Sequence, residues 1–190
     1  LTDKLRTNFK ANYIHTGSNR TQQGSNTAGL YLGLLRTPPD FDQSDYIGNY
    51  TSSSGSITPN RHRGYRRYLG NSDNVIYNNP LWTINEQEST AKVNRLIGTG
   101  EVTYQWNDNI STIVRGGVDF YTDTRVYFFP YFTAGSARRY GLLNDETINN
   151  REYNGDIITN FRYNITDKLN TNIIAGFGIN DRSRKRIFTE

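Results

Sequence analysis

The 190-residue chain contains no cysteine and no methionine, and only two histidines. Without cysteine there is no disulfide framework, no thiolate metal site and no cysteine nucleophile. His15 and His62 stand far apart in sequence and give a metal centre or a catalytic triad little to build on. Long apolar runs are missing as well. Apolar residues make up 34% of the chain, and nothing approaches the roughly 18 consecutive apolar residues of a membrane-spanning helix. A helical, polytopic membrane protein is thereby excluded. Disorder is excluded from the other side, because an aromatic content of 13% is far too high for a solvating tail. The net charge is only +4, which does not by itself point to nucleic acid. No signal peptide opens the chain, and Leu1-Thr2-Asp3-Lys4-Leu5 reads as an internal stretch of something longer.

What is abundant is Tyr, Asn, Thr and Gly, a composition that favours strands over helices. One pattern repeats three times: Leu1-Thr2-Asp3-Lys4-Leu5, Trp106-Asn107-Asp108-Asn109-Ile110 and Ile165-Thr166-Asp167-Lys168-Leu169. Thr7, Thr112 and Thr171 follow each copy at the same distance. Asp and Asn accept turn dihedrals and bond their own backbone, so each centre predicts a tight turn. The flanking runs alternate. Phe9, Ala11 and Tyr13 oppose Arg6, Asn8, Lys10 and Asn12; Val114, Val118 and Phe120 oppose Arg115 and Asp119; Phe161, Ile173 and Phe177 oppose Arg162 and Asn172. Period two gives hairpins with one apolar and one polar face.

Two architectures share that pattern. In a soluble sheet the apolar face packs on a second sheet; in a transmembrane barrel it meets lipid, and the polar face lines a wet lumen. The runs from Lys168 to Ile179 and from Asn109 to Tyr121 alternate for about twelve and about thirteen residues, nearer the roughly 9–11 of a membrane strand than the 5–6 of a soluble one. Short turns on one side and long connections on the other match the outer-membrane arrangement. The expectation is an all-β, antiparallel transmembrane β-barrel segment covering 1–190. Its strands fall at about 4–14, 92–106, 109–127, 152–165 and 168–180. Long extracellular loops occupy about 15–91 and 128–151, and the periplasmic turns are short. About five strands cannot close a barrel that needs at least about 8.

The segments Ala28-Gly29-Leu30-Tyr31-Leu32-Gly33-Leu34-Leu35-Arg36-Thr37-Pro38-Pro39, Asn79-Pro80-Leu81-Trp82-Thr83-Ile84-Asn85-Glu86 and Gly117-Val118-Asp119-Phe120-Tyr121-Thr122-Asp123-Thr124-Arg125 come in that order. Together they resemble the barrel of SusC/RagA-type TonB-dependent transporters of Bacteroidetes. The resemblance implies a barrel of roughly 22 strands in the bacterial outer membrane, with a plug absent from this sequence. It implies import of oligosaccharides or peptides with a SusD-like lipoprotein as partner, and energy from TonB through regions outside this sequence. The alternative function is a soluble β-sheet adhesin or carbohydrate-binding module, resting on the richness in Tyr and Asn.

Most candidate sites carry more than one reading. Arg61, Arg63, Arg66 and Arg67 lie among aromatics and suit an anion or lipopolysaccharide contact; the other reading is a solvated loop paired with nearby carboxylates. No nucleic-acid recognition fold accompanies them. Asp40, Asp42 and Asp45 lack the glycine and distal Glu of a calcium loop, so they read as a turn, and no metal or other cofactor is expected. Tyr127, Phe129 and Tyr131 sit in an aromatic run that suits substrate stacking, an outer girdle or packing under a partner. Tyr104, Trp106 and Tyr163 suit the inner girdle. Arg115 and Asp119, four apart on the polar face, suit contact with substrate or plug, or a lumenal ion pair. No catalytic constellation is present, so no enzyme activity is expected.

The long first connection is too long to be structureless. Thr27 is expected to cap a helix over 28–35 that Pro38 ends, with its leucines, Leu30 and Leu34 among them, packed on neighbouring loops or on a SusD-like partner. Trp82 is expected to be partly buried in that region and to contact substrate or partner.

Overall fold

The computed structural model describes residues 3–22, 25–52, 54–65, 76–135 and 138–190. Its elements are β1 (Leu5–Asn19), α1 (Leu30–Arg36), β2 (Ile47–Thr51), β3 (Ile57–His62), α2 (Pro80–Asn85), β4 (Glu88–Asn107), β5 (Ile110–Tyr131), β6 (Tyr140–Thr166) and β7 (Leu169–Thr189). The long strands form one five-stranded sheet in the order β1-β4-β5-β6-β7, and β2-β3 form a second. The chain divides into two compact units.

Unit 1 comprises Leu1–Thr16, Val93–Asp123 and Thr147–Ile187, stretches of all five long strands. β4 turns into β5 through Asp108 and Asn109, and β6 into β7 through Asp167 and Lys168, as the repeated pattern predicts. The residue before each turn helps close it: the Asn107 side chain accepts from the Asn109 N–H, and the Thr166 hydroxyl from the Lys168 N–H. The Gln105 N–H donates to the Lys4 carbonyl, and the Arg162 N–H to the Asn109 carbonyl. Asp3, Asp108 and Asp167 therefore gather at one end of the sheet. Lys4 beside Gln105 and Tyr13 beside Asn94 make β1 antiparallel to β4. The strands run longer than alternation predicts, and the second long connection shrinks to 132–139.

Unit 2 comprises Gly17–Lys92, Thr124–Glu146 and Phe188–Glu190. The first long connection has structure of its own, as its length predicts. Asn79 opens α2 by accepting the Leu81 N–H, with Pro80 in the first helical position where its missing N–H costs nothing. In β2-β3, Ile47 pairs with His62 and Thr51 with Ile57, and β3 accommodates an extra residue at Asn60, whose φ is 52°. The helix over Leu30–Arg36 departs from expectation at its start. Gly29, not Thr27, is its N-cap, and no side chain caps it. Within the chain its leucines are covered only in part: Leu30 is half-buried, Leu32, Leu34 and Leu35 are exposed, and only Gly33 is buried. The helix sits so close to Asn78 and Pro80 that the position of a Cβ on Gly33 lies 2.9 Å from the Asn78 carbonyl oxygen. Its end agrees with the sequence, for Thr37 takes the extended backbone that a following proline imposes.

Candidate functional site

The register within unit 1 sorts the sheet into two faces. The Phe9 ring lies over Gly100, and the Val118 methyl is 3.0 Å from where a Cβ on Gly98 would be. The hydroxyls of Thr112 and Thr159 meet at 3.1 Å, Phe120 meets Tyr153 edge-on at 5.1 Å, and Ile179 approaches Gly155. These residues, with Val114, Phe161, Ile173 and Phe177 at matching parity, share one face, as the alternation predicts. Following that parity, no charged residue occurs on this face over Leu5–His15, Asn94–Trp106, Ile110–Thr122, Tyr153–Ile165 or Leu169–Ile179. Yet the face is exposed, Phe9 at 73% and Phe177 at 71%. Each such side chain left in water forgoes about 1.5–3 kcal/mol of burial.

The opposite face carries the charges. Asn8, Arg115, Arg162 and Asn172 belong to it. Arg115 and Asp119 do not pair with each other, because strand pleat holds them about two side-chain steps apart while partners across the ladder stand nearer. Asp119 takes a two-pronged contact from Arg95 at 2.8 and 2.5 Å, and Arg115 reaches Asp156 at 2.5 Å. Asn180 adds a hydrogen bond to Glu152. Both residues proposed as substrate contacts are thus engaged by cross-strand ion pairs.

At the turn end, the Trp106 indole N–H donates to Thr112 at 3.0 Å and its ring meets Tyr104 edge-on. The threonine of the repeat thereby supplies the acceptor that a tryptophan in apolar surroundings needs. Tyr163 stands on the same face near the neighbouring turn.

In unit 2, Trp82 is 3% exposed and so is not a surface contact. Its indole N–H donates to Thr133, and its ring stacks on His62 at 4.6 Å. His62 is fully buried; its Nε2 accepts the Asn79 N–H, so the ring proton sits on Nδ1, facing the Phe132 carbonyl. Asn78 joins the cluster by accepting the Ala134 N–H and donating to Thr83. Around this centre the basic segment resolves into structural contacts. Arg63 forms a bidentate pair with Asp45, and Arg61 lies over the rings of Tyr50 and Phe132. Burial holds the Arg61 guanidinium below its ordinary value. Arg63 thus pairs with a nearby carboxylate and Arg61 rests on aromatic rings; Arg66 and Arg67 lie outside the described residues. Asp42 accepts from the Ser44 hydroxyl and amide, which makes the acidic segment a turn.

The aromatic run divides. Phe129 is buried beneath the Arg138 guanidinium, 4.6 Å from the ring centre, whereas Tyr131 is half-exposed against Phe132 and Tyr140. Tyr127 and Phe129 line a groove of about 560 Å³ with Arg20, Gln22, Arg138 and Asn144. The Oε1 of Gln22 and the Oδ1 of Asn144 are buried there without a hydrogen-bond partner. Among the described residues, Tyr127 and Phe129 are predicted contact residues brought together in one groove. Sequence reasoning missed Arg20, Gln22, Arg138, His62 and Asn78, since none carries a local signal; the Asn79-Pro80 helix start was readable. No protein-family model and no curated protein matches the chain.

Proposed function

We propose that unit 1 is part of the membrane-spanning wall of a β-barrel. In this reading the chain is a segment of a TonB-dependent outer-membrane nutrient importer of the SusC/RagA type. The observation that carries the membrane reading is the exposed face without charges. A sheet face kept in water has no reason to exclude every charged residue over five strands, whereas Lys or Arg at the lipid midplane costs about 2–4 kcal/mol. Height agrees: Tyr163 and Tyr153 lie about ten strand steps apart, near 34 Å along the strand, and a tilt of about 45° reduces this to the roughly 25 Å between the aromatic girdles of such barrels. Tyr104, Trp106 and Tyr163 form the lower girdle, and Tyr13, Phe120 and Tyr153 the upper.

The importer reading rests on the resemblance of the three loop and strand motifs. In it, oligosaccharides or peptides pass with a SusD-like lipoprotein as partner and TonB supplying energy. The unit 2 groove under Tyr127 and Phe129 is the place where substrate would meet aromatic and guanidinium groups. Fractionation tests the assignment. The protein should sediment with outer membranes and leave them only in detergent, and protease added to intact cells should cut unit 2 while sparing the turns at Asp108 and Asp167. A chain that stays soluble without detergent is instead the adhesin or carbohydrate-binding module.

A further inference from the structure

On the charge-free face, the first charged residue beyond Tyr153 on β6 is Arg151. It is exposed, and no carboxylate pairs with it among the described residues, although Arg95 and Arg115 on the opposite face are both paired. Arg151 borders an open groove of about 530 Å³ whose apolar wall is Tyr13, Leu96, Phe120 and Tyr153. Asn94, Arg95, Thr122, Asn149 and Asn150 line its polar side. The amide oxygens of Asn94 and Asn149 are already taken. Asn94 Oδ1 receives the Tyr13 hydroxyl at 2.8 Å and lies 2.7 Å from His15 Nδ1, while Asn149 Oδ1 receives the Thr122 hydroxyl at 2.8 Å. The amide NH2 groups of Asn94 and Asn149 and the Arg151 guanidinium are donors at this rim, while the Oδ1 of Asn150, which also lines the groove, is buried without a hydrogen-bond partner. The β6-β7 register, in which Ile179 stands beside Gly155, carries exposed Lys185 up to the level of Asn149. Asp181 is the one carboxylate on this face of β7, and it lies lower, beside Tyr153.

A rim with an unpaired guanidinium and two amide NH2 groups above an apolar wall fits an amphiphile with an anionic oxygen-rich head. We propose that this groove binds the phosphoryl headgroup of a lipid A-type glycolipid in the leaflet on the long-loop side. Arg151 would meet the phosphate through both of its arms, and an acyl chain would lie down over Phe120, Leu96 and Tyr153. The proposal rests on the reading that this face meets lipid, so its test includes a separate check of that reading.

The protein in detergent micelles is titrated with diphosphoryl lipid A and with its dephosphorylated form, and retention is read by native mass spectrometry. Wild-type protein should prefer the phosphorylated form by about tenfold, and Arg151→Gln should abolish the preference, the scale of one lost charge-assisted contact. Asn149→Asp, which puts a carboxylate among the donors, should do the same. Arg182→Gln, on the opposite face, should leave it unchanged. Equal retention of the two lipids, or an unchanged preference in Arg151→Gln, overturns the site. Displacement by millimolar inorganic phosphate alone also overturns it, in favour of a free-anion site. In the same protein, brominated acyl chains should quench Trp106 and spare buried Trp82. Quenching of Trp106 without a phosphate preference removes the headgroup site alone; no quenching of Trp106 removes the lipid-facing reading with it.

Discussion

At the scale of single residues, the cluster around His62 shows how unit 2 is held with so little apolar material. Its members are mostly polar, and each polar group has a named partner, as burial requires. Trp82 is the one large apolar side chain among them, stacked on the imidazole and anchored to Thr133. Trp82→Ala should therefore cost about 3–5 kcal/mol, seen as rapid cleavage of unit 2 in pulse proteolysis. Asp42 gives a prediction in pH. The Ser44 hydroxyl and then its amide hold the carboxyl below its ordinary 3.8. A carboxylate depressed by folding stabilises above its unfolded value and loses that effect as pH falls through the folded one. Amide exchange at Ser44 should accordingly accelerate below about pH 3.8 beyond the intrinsic pH trend. In Asp42→Asn that acceleration should vanish.

Elements repeat the lesson with different physics. Replacing a helical glycine by alanine usually stabilises by about 1 kcal/mol. In α1 the sign should reverse, because a methyl on Gly33 would meet the Asn78 carbonyl at 2.9 Å. Gly33→Ala should destabilise unit 2 by about 1–3 kcal/mol in thermal or denaturant melts. This close approach also explains why α1 was only half legible. The apolar spacing and Pro38 marked its existence and its end, but its buried side is set by a glycine, which contributes nothing to an apolar pattern. The long strands were legible for the opposite reason: period-two alternation and three copies of one turn carry their own signal. Cross-strand partners were not, because Arg115 and Asp119 look adjacent by spacing yet find Asp156 and Arg95 through register. In the same way, nothing in the sequence near Tyr127 and Phe129 announces Arg20 or Gln22.

For the whole molecule, the decisive contrast is between the faces of the sheet in unit 1. Phe177→Lys places a charge in the middle of the uncharged face, while Asn172→Lys places one on the face that already bears charges. If the first face is solvated by lipid, Phe177→Lys should lower insertion into vesicles by the equivalent of about 2–4 kcal/mol, and Asn172→Lys should insert normally. Equal behaviour of the two in a vesicle flotation assay would sink the membrane reading. The connectivity of the sheet also has a consequence in time. The hairpins β4-β5 and β6-β7 each close across a two-residue turn, but the Tyr13–Asn94 bond joins residues 81 apart. Bringing such distant ends together costs roughly 3 kcal/mol more chain entropy than closing a tight turn. The two hairpins can therefore nucleate early and locally, leaving β1 to zip onto the waiting edge of β4 as the last and slowest strand of the sheet.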